Sequence, residues 1–284
     1  MKIIITGANG MLGQDMVLCC KQNGWAVKAF GSNELDIRNP QQIAEKLDAH
    51  TEADFLINCS GFTRVDDAET NSKNAFEVNA VGPFHLAAWC LENTVPMVHF
   101  STDYVFDGTK ESPYVEDDAT NPISKYGLSK LGGENAVRTV LKQFYLFRVQ
   151  WLYGEHGHHF ISTIRALAEQ KPELSIVNDQ WGAPTSTEEV ARMTILFLEK
   201  RPAFGTYHLC ASGETTWYDY AKLIVETDNA FCSIKPQSTE SYTRPAKRPK
   251  NGRLNTDKLK RLGITPKRWD DVAKAYLLKH KKNV

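Results

Sequence analysis

The chain has 284 residues, enough for one large α/β domain or for a nucleotide domain with a smaller lobe. Lys+Arg and Asp+Glu number 34 each, so no whole-protein field draws it to nucleic acid or to a membrane surface. Hydrophobic residues make up 42%, yet no apolar run approaches the ~20 residues of a membrane span.

The first half alternates strand and helix. Lys2 to Thr6 is a short apolar strand that leaves no room for a signal peptide, so a cytoplasmic protein is expected. Met11 to Asn23 has helical spacing, with Gly24 as its stop. Ala26 to Phe30 is the next strand. Asn39-Pro40 reads as an N-cap followed by a first-turn proline, which predicts a helix to about Leu47. Phe55 to Cys59 is a third strand, Lys73 to Leu91 a helix and Met97 to Ser101 a fourth strand. A helix is expected from near Pro122 through Val140, then a fifth strand from Phe144 to Val149.

Short, nearly all-apolar strands separated by helices predict a doubly wound parallel sheet covered on both faces, with ligands beyond the strands' carboxyl ends. After about residue 150 the alternation weakens. Helices are expected near Phe160–Gln170, Glu188–Glu199, Trp217–Glu226 and Trp269–His280, with short strands at Leu174–Val177 and Thr206–Leu209. Ser238 to Gly252 reads as a loop, and its basic stretch Lys247 to Lys250 as solvated surface. The domain expectation is a dinucleotide-binding domain over 1–150, to which part of 175–200 returns, and a substrate lobe over 151–284. The six cysteines, Cys19, Cys20, Cys59, Cys90, Cys210 and Cys232, lack Cys-x-x-Cys spacing and are expected as buried free thiols.

Two motifs carry chemistry. Gly7-Ala8-Asn9-Gly10-Met11-Leu12-Gly13 follows the first strand and opens the first helix. A helix N-terminus offers unpaired N–H groups and partial positive charge, which suits a pyrophosphate. Gly7 permits the tight turn, Gly10 a close approach of phosphate, and Gly13 close packing of helix on sheet. No carboxylate stands at residues 30 to 33 to hold a ribose 2′-hydroxyl, so a 2′-phosphate is tolerated. Asp36-Ile37 either holds the adenine edge or is a helix-entry turn.

The second motif is Tyr126-Gly127-Leu128-Ser129-Lys130, a Tyr-x-x-x-Lys on a helix. A carbonyl that receives hydride needs a proton on its oxygen, and tyrosine normally holds its proton to a pKa near 10. A lysine at i+4 lies on the same face and is expected to lower the tyrosine pKa. Thr102, at the end of the fourth strand, is placed to polarise the same carbonyl. Asp103 either orients site or substrate or serves a turn. His99 is expected to sit in the strand rather than in the chemistry. His156, His158 and His159 lack a completing carboxylate or cysteine and read as a mobile polar loop.

Thr6 to Gly13, Ser101-Thr102-Asp103-Tyr104-Val105-Phe106 and Tyr126 to Lys130 together resemble the extended short-chain dehydrogenase/reductases. Within them the chain is similar to the dTDP-4-dehydrorhamnose reductases. That likeness runs through Thr63-Arg64-Val65-Asp66 with Ala68-Glu69, Trp151 to Gly154, Asn178 to Thr185, Thr216 to Tyr220 and Arg244-Pro245 through Arg253 to Thr256. It implies a Rossmann-like sheet with a smaller C-terminal α/β substrate lobe. It also implies hydride delivery from NADPH, or NADH, to C4 of dTDP-6-deoxy-L-lyxo-4-hexulose.

By that resemblance Tyr126 protonates O4, Lys130 tunes Tyr126 and binds the nicotinamide ribose, and Thr102 binds O4. Gly7, Gly10, Met11, Gly13, Asp36, Ile37, Cys59, Ser60 and Gly61 are expected around the cofactor. Asp103, Val65, Trp151 and Arg253 are expected around the substrate. Some members bind magnesium between two chains through three carboxylates per site. Asp15 and Glu188 match two of those positions, but Lys279 stands at the third. No metal site is therefore expected, and a monomer or a metal-independent homodimer is. Two rival readings share the fold: an epimerase or dehydratase that retains NAD+, and a non-catalytic regulatory subunit.

Overall fold

The computed structural model describes residues 1–281. Its first half runs β1 (Lys2–Thr6), α1 (Met11–Gln22), β2 (Ala26–Phe30), α2 (Pro40–Leu47), β3 (Phe55–Asn58), α3 (Gly82–Glu92), β4 (Met97–Thr102), α4 (Lys125–Val140) and β5 (Phe144–Val149). Its second half runs α5 (Phe160–Ala168), β6 (Glu173–Val177), α6 (Thr187–Lys200), β7 (Gly205–His208), α7 (Trp217–Asp228), β8 (Ser233–Gln237) and α8 (Trp269–Lys279). One six-stranded sheet has the order β7-β5-β4-β3-β1-β2, with every pairing parallel. The order reverses between β1 and β3, which places the crevice beyond their carboxyl ends.

Alternate residues of each strand enter opposite layers. Ile3 and Ile5 pack with Met16, Val98 and Phe147 under α1 and α6. Ile4 and Leu56 pack with Leu86, Trp89 and Met97 under α2 and α3. Burying each such side chain contributes roughly 1.5–3 kcal/mol, so two-sided covering stabilises short strands of this composition. Helix α6 packs on α1, and β7 completes the sheet beside β5. The segment 187–208 thus belongs to the sheet layer, whereas β6 pairs with β8. A separate cluster around Tyr153, Ile161, Leu174, Tyr220 and Leu277 holds the second half together. All six cysteines are free.

Three local expectations are revised. Helix α4 starts at Lys125, not near Pro122, because the Ser124 hydroxyl accepts from the Gly127 N–H at 3.1 Å and caps it. The helix expected from Lys73 to Leu91 contains a π turn at Glu77–Val81. Pro83 has no N–H for the Asn79 carbonyl, and widening the turn accommodates its ring. Strand β8 was not expected; it is short, carries Pro236, and shows no buried alternation.

Candidate active site

Gly7 has φ +69°, and a Cβ there would lie 2.5 Å from the Ser60 nitrogen. A Cβ on Gly13 would lie 2.1 Å from the Gly7 carbonyl oxygen. Gly10 is the N-cap of α1, no side chain caps the helix, and no acidic residue stands in its first turn. The first N–H groups therefore remain available to an anion. On the neighbouring strand, Asn58 Oδ1 accepts from the Ser60 N–H at 2.9 Å and from Thr6 Oγ1 at 2.8 Å, which fixes the Cys59-Ser60-Gly61 turn beside the glycines.

The ends of β1, β3, β4 and β5 open into one cavity of about 730 Å³. Gly10, Met11, Cys59, Ser60 and Gly61 line one side of it. Val65, Thr102, Asp103, Tyr126, Lys130 and Trp151 line the rest, with Gly7 and Gly13 shaping the turn behind. Residues from the first, third, fourth and fifth strands are thus brought together with both members of the Tyr-x-x-x-Lys pair.

Thr102 Oγ1 donates to Asp103 Oδ1 at 2.9 Å and accepts from the Tyr104 N–H at 3.2 Å. The Tyr126 ring stands edge-on to Tyr104 with centroids 5.5 Å apart. Lys130 Nζ donates to the Phe100 carbonyl at 2.6 Å and points past Gly61. Burial lowers the Lys130 ammonium to about 8, with Glu134 one turn along opposing the shift. The expected lowering of the Tyr126 pKa by Lys130 is reversed. Burial pushes the phenol above its ordinary range, the Thr102 hydroxyl partly offsets this, and Asp103 adds to it. A phenol that keeps its proton is what a proton donor needs.

Asp36, Ile37 and Arg253 lie outside the cavity lining. Asp36 is held by Arg38 through paired bonds of 2.8 and 2.7 Å, and Ile37 is buried against Gly82. Arg253 pairs with Glu214 at 3.0 Å, donates to Asn251 Oδ1 at 2.9 Å and bonds the Glu111 carbonyl. Three of the five guanidinium N–H groups of Arg253 are thus engaged by the protein, and they tie its loop to Glu111 and Glu214. The cavity's arginines are instead Arg244 and Arg248. Arg248 is bound to Asp66 at 3.1 and 2.9 Å and is half-buried, so the Lys247 to Lys250 stretch is not wholly solvated. Both cavity arginines lie in the stretch of family likeness that opens at Arg244-Pro245, but only the return of the loop onto Asp66 sets them apart from Arg253.

Trp151 has φ +47°, a left-handed backbone unusual for a bulky residue. Its indole stacks on Trp217 at 3.6 Å, and a Cβ on Gly182 would come within 2.6 Å of it. Phe160 and Trp217 also face the cavity; Trp217 lies in a segment of the family likeness, but neither was expected as a site residue. In the expected histidine loop, His158 and His159 make local hydrogen bonds. His159 caps α5, and His158 bonds Thr163 Oγ1 at 3.0 Å. His99 lies buried in β4, 3.1 Å from the Asn58 side-chain nitrogen.

Among the described residues no group of three His, Cys, Asp or Glu side chains is placed to hold a metal. Asp15 is bound by the Thr187 hydroxyl, and Lys279 pairs with Glu155. No helix among them is long and apolar enough to cross a membrane.

The family model described as the RmlD substrate binding domain matches residues 1–281. The dTDP-4-dehydrorhamnose reductase of Escherichia coli (strain K12) is 36% identical over 272 residues, covering 91% of this chain and 90% of that protein. The chain belongs to this family. The spore coat polysaccharide biosynthesis protein SpsK of Bacillus subtilis (strain 168) is also similar, 34% identical over 276 residues, with 97% of this chain and 96% of that protein covered. The structure of the Bacillus anthracis dTDP-4-dehydrorhamnose reductase in complex with NADP superposes with a TM-score of 0.93 at 30% identity, covering 98% of this chain and 99% of that chain. Family membership accords with the glycine turn and with the Tyr126–Lys130 helix, both found on one cavity.

Proposed function

We propose that this chain is an NADPH-dependent oxidoreductase that reduces the C4 ketone of dTDP-6-deoxy-L-lyxo-4-hexulose to dTDP-L-rhamnose. The observation that carries the reading is the convergence of Thr102, Tyr126 and Lys130 on the cavity that the glycine turn of α1 also borders. The substrate and cofactor follow from the family, whose Bacillus anthracis member is complexed with NADP.

When bound, the nicotinamide cofactor supplies the hydride that adds to C4. The α1 N-terminus and the Gly7, Gly10 and Gly13 turn hold its pyrophosphate, and the Cys59-Ser60-Gly61 turn supports it. Lys130 holds the nicotinamide ribose. Thr102 polarises O4, and Tyr126 gives O4 its proton. Val65 and Trp151 pack on the sugar, while Arg244 and Arg248 offer positive charge to the substrate diphosphate. Residues 1–150, with α6 and β7, form the dinucleotide-binding domain, and the remainder forms the substrate lobe. The protein acts in the cytoplasm as a monomer or a metal-independent homodimer.

The test is incubation with NADPH and the 4-keto dTDP sugar, followed by identification of the product. NADPH oxidation with formation of dTDP-L-rhamnose is expected. Tightly retained NAD+ in the purified protein, with no net NADPH consumption, would instead indicate an epimerase or dehydratase.

A further inference from the structure

Thr102 ends β4, and Asp103 opens the turn that follows; both are buried and both face the cavity. A threonine hydroxyl carries one hydrogen, and here it is donated to Asp103 Oδ1 at 2.9 Å. The oxygen also accepts from the Tyr104 N–H at 3.2 Å, and the Tyr126 hydroxyl is within hydrogen-bonding reach of it. In this arrangement the hydroxyl has no hydrogen left for a substrate ketone. A protonated Asp103 reverses the bond: the carboxylic O–H donates to Thr102 Oγ1, and the threonine hydrogen is free to turn.

The surroundings of Asp103 favour the neutral form. Tyr104 from its own turn, Tyr126 from α4 and the Cys210 thiol that follows β7 all face it. From the loop before Arg253, a Cβ on Gly252 would lie 2.5 Å from Asp103 Oδ2. The charged form is favoured only by hydrogen bonds from Thr102 and from the local backbone, and by no cation. Burial pushes the carboxyl up to about 7.

We infer that Asp103 is a positioning residue that must carry a proton for turnover: neutral, it directs the Thr102 hydrogen at the substrate ketone, and ionised, it captures that hydrogen. No atom leaves Asp103 or Thr102. The proton that joins O4 comes from Tyr126, and a neutral Asp103 also removes a negative charge that opposes its release. The inference rests on the reading of the site given above.

The test compares wild type with Asp103→Asn, an isostere that is uncharged at every pH and whose amide nitrogen can donate to Thr102. kcat/KM for NADPH-dependent reduction of the 4-keto dTDP sugar is measured from about pH 5.5 to about 8.5. Infrared difference spectra of the substrate-free protein are recorded over the same range. Lys130 titrates nearby at about 8, so the difference between the two proteins decides, not the wild-type profile alone. Wild type should lose rate as the pH rises through about 7, tending to tenfold per pH unit, while Asp103→Asn keeps the low-pH rate within about fivefold and lacks that limb. The infrared spectra should show a carboxyl C=O band that fades over the same interval in wild type and is missing in the variant. Three results would overturn the inference: the same limb in the variant, a low-pH rate down by about 10²-fold or more, or no carboxyl titrating in that range. A wild-type protein that reduces the sugar at no pH would instead overturn the functional reading beneath it.

Discussion

The Tyr126 phenol stands against Tyr104 and close to buried Asp103, in surroundings that keep its proton on. Tyr126→Phe preserves the ring packing and removes only the donor. It should lower kcat by on the order of 10²-fold with little change in cofactor affinity, as steady-state kinetics and a cofactor titration would show. A variant within about threefold of wild type would remove Tyr126 from the donor role. Asp103 carries a second consequence, for stability. Its ordinary value of 3.8 rises to about 7 in the fold. Below 3.8 the group is neutral in both states and costs nothing. Between the two values unfolding releases a proton, so stability falls as pH rises, and above about 7 the penalty is complete. At about 1.4 kcal/mol per pH unit it is on the order of 4 kcal/mol. Asp103→Asn should therefore be more stable than wild type near pH 8, by a margin that narrows near pH 5. Denaturant unfolding at both pH values measures this, and a constant margin would contradict it.

At the scale of elements, two terminal turns set what the sheet can bind. The turn into α1 is tight enough that Cβ atoms at Gly7 and Gly13 would meet backbone, and it leaves the helix N-terminus uncapped. The turn after β2 is closed by Glu34, whose Oε2 accepts from the Gly31 N–H at 2.8 Å. That bond brings a carboxylate back to the strand end, where a ribose 2′-hydroxyl would be read, although none occupies residues 30 to 33. A carboxylate there accepts from a hydroxyl and repels a phosphate. With no carboxylate on residues 30 to 33 themselves, wild type should still use NADPH at least as well as NADH, Glu34 narrowing the margin. Glu34→Gln should move the ratio of kcat/KM values further towards NADPH, by on the order of 1 kcal/mol or about fivefold. An unchanged ratio would place Glu34 outside the ribose site. The π turn before α3 has a structural part of this kind. Asn79 bonds the Phe62 N–H at 2.8 Å, the Phe62 carbonyl at 2.9 Å and the Ser129 hydroxyl at 3.0 Å, tying the loop after β3 to α4.

For the whole molecule, the outstanding matter is assembly. A hard divalent ion takes several oxygen ligands. Here Asp15 is buried against the Thr187 hydroxyl, Glu188 is exposed, and Lys279 places an ammonium beside Glu155. A lysine at that position repels a cation. Full activity in EDTA is expected, with no change in sedimentation when Mg²⁺ is added. Activity lost in EDTA and restored by Mg²⁺ would mean that other ligands complete a site.

The sequence by itself determined what depends on neighbours a few residues apart. The apolar runs of β1, β3, β4 and β5 demanded a sheet covered on both faces. The glycine turn announced the first helix N-terminus, and the i, i+4 spacing put Tyr126 and Lys130 on one helix face. Tertiary structure decided whatever depends on burial or on residues distant in the chain. Arg253 and Arg248 look alike in sequence, yet Arg253 pairs with Glu214 outside the cavity lining, whereas Arg248 lines the cavity with Asp66, 182 residues away, holding it. Pairing with β6 makes a strand of the polar, proline-bearing segment Ser233–Gln237. The direction of the Tyr126 shift was not legible either: spacing counts the charge of Lys130, whereas desolvation depends on everything packed around the ring, and desolvation is the larger effect.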